Sequence, residues 1–393
     1  MRVIIDKTDR LWKIPQPSLG EMKFARKRLA TRGVEVIDFD RLPMELVVPE
    51  ALAPDMSKIK ATSSNESAEY MQSRLISDIL TKHRSLNAIP LDPEKEICIT
   101  PGNRIAASLL TLGILNPGEC AVYPDPGTPN FRTAICLADA VPKKYTLLES
   151  NDYIPNIAGL KVAHNKTTKL LFINYPHDPT GASVDFYFYR ELLKPLRFSN
   201  MLVAADCAYV HPGNPDPAGP LQVKNAARAV VELHSFATTF GIPNLGFAVG
   251  HKDVVSILRW LMKAHGLWPD DRDMTLASAC LDHAEEIFHL RMEAIRRKRE
   301  ILSNDLKKFG WQVRSGRLAP FVWAKPPVRS TSLAFARRLF IKAGIKVTPG
   351  SDFGENGEGW VRMALGVDEK TTVEAIARMA QHSRIWQRKY KPE

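Results

Sequence analysis

The sequence predicts an α/β protein: a large domain built on a mostly parallel, doubly wound sheet, with a smaller α+β domain. Three observations carry this expectation. The chain has 393 residues, more than one ordinary domain holds. From Glu96 onward, short apolar runs alternate with segments of helical period, the pattern of parallel strands joined by crossover helices. A long amphipathic stretch, Ala284 to Phe309, then separates that region from a shorter α+β remainder. The expected spans are 1–50 for an N-terminal arm with part of the small domain, 51–285 for the large domain, and 286–393 for the bridging helix and the rest of the small domain.

Composition narrows the function classes. Hydrophobic residues make up 45% of the chain, enough for a sizeable core, and charged residues make up an ordinary 25%. The formal net charge of +11 favours loose attraction of anionic ligands. Nucleic-acid binding is not expected, because no helix-turn-helix, zinc-finger or aromatic-interleaved basic motif accompanies that charge. Cys98, Cys120, Cys136, Cys207 and Cys280 are odd in number, widely spaced and without a CxxC pair, which points to buried reduced thiols and no metal site. Met1 to Lys7 lacks the apolar run of a signal peptide, and no uncharged run approaches the ~18 apolar residues of a membrane span. A soluble, cytoplasmic protein is expected.

In chain order, Leu19 to Arg32 places apolar residues at helical spacing and Val34 to Phe39 alternates. A helical run through Tyr70, Arg74 and Leu75 ends near Thr81. Ile97 to Thr100 is a short buried strand that ends at Pro101-Gly102-Asn103-Arg104, which opens a helix through Leu112. Strand, glycine turn and helix start form an anion cradle, because first-turn N–H groups have no partner inside the helix. A glycine turn before a helix is common, so the motif is weak alone. Pro124, Pro126 and Pro129 fix a βα turn around Gly127 and Thr128. The strand Lys169 to Asn174 runs into Tyr175-Pro176-His177-Asp178-Pro179-Thr180-Gly181. Met201 to Asp206 is another strand, followed by Cys207-Ala208-Tyr209. Ala229 to Ser235 leads into Phe236-Ala237-Thr238-Thr239-Phe240, and Gly246 to Gly250 follows closely. Arg296 to Arg299 give the long helix a basic face, more in keeping with a solvated exterior than with a nucleic-acid patch. Near the end come Val347-Thr348-Pro349-Gly350-Ser351-Asp352-Phe353-Gly354 and Gly359-Trp360-Val361-Arg362.

Taken in this order, the motifs resemble those of the class I and II aminotransferases, the fold-type-I pyridoxal phosphate enzymes, and within them the aspartate/LL-diaminopimelate branch. The resemblance runs from roughly residue 20 to 385. It implies that Gly102, Asn103 and Arg104 face the cofactor phosphate and that Asp206 holds the pyridine nitrogen protonated, so that the ring can act as an electron sink. It implies that Tyr209 and Asp178 lie at the phenolic oxygen, Ser235 at the cofactor, and Asn174 and Arg362 on the substrate, with the arginine forking onto a carboxylate. For Asp206, Asp178 and Arg362, an inherited structural anchor is the competing reading.

The departures cluster at the chemistry. Where the family has its Schiff-base lysine, this chain has Thr238, and the two residues missing before Leu245 include the arginine that grips the phosphate. Such a charge-assisted contact is typically worth ~1.5–3 kcal/mol. Thr128 replaces the aromatic that stacks on the ring. Asp178 replaces an asparagine donor, and an ionised carboxylate only accepts. No glycine interrupts Asp38 to Pro43, where the family brings backbone close to the substrate. Transamination needs an amine that serves as nucleophile and then as base; threonine serves as neither, and Lys252 and Lys263 lie beyond the strand. The expectation is a protein that is not a competent transaminase alone. It would bind a carboxylate-bearing small molecule or act as a partner subunit, either as a homodimer or as a heterodimer with an active paralogue. The alternative is a family enzyme that holds pyridoxal phosphate non-covalently, with His234 or His177 as base.

Overall fold

The computed structural model describes residues 6–16, 18, 23–42, 65–157, 160 and 167–386. Residues 19–22 of the expected first helix, Pro43 and residues 61–64 lie outside this set. The strands in chain order are β1 (Ile37–Asp38), β2 (Ile97–Thr100), β3 (Cys120–Asp125), β4 (Val141–Thr146), β5 (Thr168–Asn174), β6 (Leu202–Asp206), β7 (Val230–Ser235), β8 (Gly246–Gly250), β9 (Gln312–Arg314), β10 (Phe321–Lys325), β11 (Ile345–Lys346), β12 (Thr348–Pro349) and β13 (Val361–Ala364).

Seven strands form the central sheet in the order β2-β8-β7-β6-β5-β3-β4. Neighbours from β4 through β7 pair in parallel, and β8 runs antiparallel to both β7 and β2. The mostly parallel sheet expected from the sequence is therefore present. Successive residues of a strand face opposite sides, and here they enter two different cores. Leu171, Ile173, Val203 and Ala205 join one core with Leu75, Ile79, Met274 and Ala277. Leu170, Phe172, Ala204 and Val231 join the other with Leu110, Phe131, Ile135 and Leu258. Helices thus cover both faces, which is why these strands read as near-continuous apolar runs.

A four-stranded antiparallel sheet, β12-β13-β10-β9, forms the second layer system, and β1 pairs in parallel with β11 beside it. The helix Ala284–Lys308 links the two regions physically. Its Ile287 packs in the first core, while Ile295, Leu302 and Leu306 pack under the second sheet with Phe39, Trp311 and Trp386. No helix among the described residues is long and apolar enough to cross a membrane. All five cysteines are buried and free.

Candidate ligand site at the carboxyl ends of the central strands

In open α/β sheets, ligand sites lie beyond the carboxyl ends of the strands. The register of β5 against β6 sets Asn174 beside Asp206 at that edge. The side chain of Asn174 donates to the Asp206 carbonyl (2.9 Å) and accepts the Asp178 N–H (2.8 Å). Asn174 therefore shapes the loop that carries Asp178, instead of standing free towards a substrate. Within that loop, His177 Nδ1 lies 2.8 Å from the Thr180 hydroxyl.

Asp206 receives the Asn103 amide (2.9 Å) and the Ala208 N–H (3.0 Å), both on Oδ1. Burial pushes its carboxyl up to about 6, and the nearby Asp178 charge adds to the shift. Asn103 is the first residue of the helix Asn103–Ile114, which is capped by Gly102 at φ +85°. The asparagine side chain that sequence reasoning assigned to an anion is thus engaged with a carboxylate. The Asn244 backbone lies 3.9 Å from where a Cβ on Gly102 would sit. Arg104 is exposed on the same helix start.

The sequence expectation treated Asp178 and Arg362 as separate ligand contacts. The fold joins them. Arg362, paired across the second sheet with Trp323, points Nη1 at both oxygens of Asp178, at 2.9 Å each. The Tyr209 hydroxyl donates to Asp178 Oδ2 (3.0 Å). Burial raises the Tyr209 phenol well above its usual range, and Asp178 reinforces that direction. Arg362 Nη2 lies 3.5 Å from Asp40, and its guanidinium carbon sits 4.9 Å from the Phe353 ring centroid and 5.7 Å from that of Phe321. Its Nε is buried without a partner among the described residues.

Asp40 accepts from the Thr348 hydroxyl (2.5 Å) and from Lys346 (2.9 Å). Burial alone would raise its carboxyl, but these hydrogen bonds hold it below the usual carboxylate range. Sequence reasoning missed Asp40 and Lys346. The signal was present in Asp38-Phe39-Asp40, where a fully buried phenylalanine separates two more exposed carboxylates.

Thr238 lies in the single turn Phe236–Thr239, which follows directly from β7. Its hydroxyl donates to the Ala208 carbonyl, and the Ser235 carbonyl lies 3.2 Å away. Ser235 itself is buried at the strand end, and its carbonyl also accepts from Thr239 (3.0 Å). The two histidines considered as bases are both buried. His177 is fully buried and burial pushes it down to about 4. His234 is 2% exposed, stacks on Phe247 and bonds to Glu232 (2.8 Å). Glu232 also accepts the Leu221 N–H (2.9 Å). One ring nitrogen of each imidazole is hydrogen-bonded, and the other is buried without a partner among the described residues. Tyr70 is 66% exposed on the helix Asn65–Lys82. A cavity of about 480 Å³ adjoins the Asp178 loop at Thr180 and is also lined by Tyr153, Gln312 and Arg314 among others; there Arg314 pairs with Asp152 (2.6 Å).

Solved structures with this arrangement of elements are numerous in kind. BacF from Bacillus subtilis in its apo form superposes with a TM-score of 0.85 at 25% identity, covering 98% of this chain and all of that one. An aspartate aminotransferase single mutant from Thermus thermophilus gives a TM-score of 0.80 at 20% identity, over 97% of this chain and 100% of that one, a likeness of fold. In sequence, the LL-diaminopimelate aminotransferase of Halothermothrix orenii is 29% identical over 384 residues, spanning 95% of this chain and 98% of the relative. That of Aquifex aeolicus is 28% identical over 383 residues, with the same two shares. The family model described as aminotransferase class I and II matches residues 41–379, a span that holds Asp178, Asp206, Thr238 and Arg362, and the chain belongs to that family.

Proposed function

We propose that this chain keeps the aminotransferase architecture without lysine-dependent transamination. The observation that carries the reading is Thr238, whose hydroxyl is turned into the Ala208 carbonyl at the position where the resemblance places the reactive amine. A hydroxyl neither condenses with a carbonyl to give an imine nor shuttles a proton from the substrate carbon.

The family uses pyridoxal phosphate, and the groups at this site do not fit that cofactor in its covalent form. The lysine position has no amine. The residues that would face the ring and phosphate are bonded to one another: Asn103 to Asp206, and Tyr209 and Arg362 to Asp178. A phenolic oxygen brought to Tyr209 would meet the Asp178 carboxylate, which repels an anionic oxygen. No chemical step is therefore assigned through the cofactor. The curated relatives are named for LL-diaminopimelate; the same pairing of Arg362 argues against simple transfer of that substrate to this chain.

The test is the spectrum and intact mass of the protein as isolated and after incubation with pyridoxal phosphate. The expected result is no visible absorbance band that borohydride bleaches, and no mass increase after reduction. A reducible band, a borohydride-fixed adduct on any lysine, and turnover of an amino donor would together sink the reading.

A further inference from the structure

We propose that Asp178 is an internal carboxylate ligand of Arg362, which closes the arginine to carboxylate-bearing molecules and leaves the strand-end site selective for amines. The inference rests on the reading above that this chain keeps the aminotransferase architecture without lysine-dependent transamination. Three features of the geometry point the same way.

Arg362 has little left to offer. One nitrogen holds both oxygens of Asp178, another lies 3.5 Å from Asp40, and Nε is sealed from solvent. The Phe353 and Phe321 rings occupy the surroundings of the guanidinium. A planar fork can recognise a carboxylate in two parallel bonds only where an edge is free.

The local cations are already matched by carboxylates. Asp178, Asp40 and Asp38 face Arg362 and Lys346 in one connected chain. An incoming carboxylate would have to expel Asp178 from Arg362 and Tyr209, or sit as a further anion beside these. Like charges held close in a partly desolvated site repel strongly.

Asp206 is the unbalanced group. Among the described residues its donors are an amide and a backbone N–H, both on Oδ1, and no cation pairs with it. Asp178 is near enough for its charge to raise the proton affinity of Asp206. Partly exposed Asn103 bonds this carboxylate, and partly exposed Tyr209 lies within its electrostatic reach. An ammonium group, with several donors and a positive charge, complements its second oxygen.

The experiment compares glutarate with pentane-1,5-diamine, a dianion and a dication of the same carbon count, by titration calorimetry on full-length protein. Wild type is expected to bind the diamine more tightly than glutarate. Asp178→Asn keeps the side-chain shape and should bind glutarate about 10- to 100-fold more tightly than wild type, the worth of one freed charge-assisted contact. Asp178→Ala is measured in parallel, so that a folding defect in one variant leaves the other to report. The gain should vanish in the double variant Asp178→Asn/Arg362→Met, and Asp206→Asn should weaken the diamine by about tenfold or more. Equal glutarate affinity in wild type and both Asp178 variants, or a gain that survives the loss of Arg362, would overturn the proposal. So would a wild type that prefers glutarate. The two readings fail separately: a borohydride-bleached band in the same samples defeats the functional reading, whereas level glutarate affinities without such a band defeat only the charge selectivity.

Discussion

A carboxylate at the end of a buried strand is costly unless something charged or several donors compensate it. Asp206 has only two neutral donors on one oxygen, and its carboxyl is accordingly pushed from 3.8 to about 6, chiefly by burial. The sign for stability follows from this direction. The folded state holds the proton more tightly than the unfolded chain, so the contribution is fully present below about 3.8 and is lost as pH rises through about 6. Above that window the ionised, buried carboxylate costs on the order of 3 kcal/mol. Asp206→Asn preserves an acceptor for Asn103 and Ala208 and removes the charge. The variant should be more stable than wild type in urea at pH 8 and should have lost that advantage at pH 4; identical pH dependence in the two proteins would refute the argument. The residues of this site were individually legible, since Asn174, Asp178, Asp206, Tyr209 and Arg362 each sit in a recognisable motif. Their pairing was not. Asp178 and Arg362 are 184 positions apart, and nothing in local sequence says that an aspartate in place of an amide will turn onto an arginine of another sheet. Asp40 escaped for a related reason: it acts through Lys346 and Thr348, whose positions only folding brings near.

At the scale of elements, the strands buried on both faces were the easiest to read, and the start and end of the helix Ala284–Lys308 lay within a residue of the sequence expectation. The edge strand Val141–Thr146 was missed because Pro142, Lys143 and Lys144 make it look like a loop, and it is largely solvated in the sheet. The antiparallel course of Gly246–Gly250 was also invisible, since a run of apolar residues carries no direction. The contact that docks the Asp178 loop on the second sheet's region depends on two glycines. A Cβ on Gly316 would lie 1.9 Å from the Gly181 carbonyl oxygen, a backbone atom that cannot swing aside. Arg299 donates to the Gly316 carbonyl (2.7 Å) and fixes the segment from the other side. Gly316→Ala should therefore force backbone movement at Gly181 and lower stability by about 1–3 kcal/mol, as overpacking does. Denaturant midpoints check this, and an unchanged midpoint would show that the close approach is relaxed in solution.

Across the whole molecule, buried neutral histidines set the response to acid. His83, His177 and His211 are 0%, 0% and 4% exposed. Burial drives His83 well below its usual value, with His234 and His211 adding to the shift, and takes His177 to about 4. It takes His211 to about 3, where Arg291 contributes. A depressed folded-state value reverses the sign found for Asp206. These histidines contribute stability that is present above about 6.5 and is lost as pH falls towards their folded values. Near pH 5 the unfolded chain holds close to three protons on them and the folded chain almost none, while Asp206 is protonated mainly in the folded state. The difference is about two protons, so stability should fall by roughly 2–3 kcal/mol for each unit of pH lost there. The net charge of +11 works in the same direction, because protonating carboxylates leaves more positive charge to repel itself in the compact state. His211 offers the cleanest partition, being caged by Phe240 and Phe288 and accepting only the Gly213 N–H on Nδ1. His211→Gln keeps an acceptor and removes the titration. Urea unfolding near pH 5 should give a slope about one proton shallower in this variant, roughly 1.4 kcal/mol per pH unit, whatever the variant loses uniformly from altered packing. A slope equal to that of wild type would mean that His211 charges without unfolding, and that the core admits water where the packing says it does not.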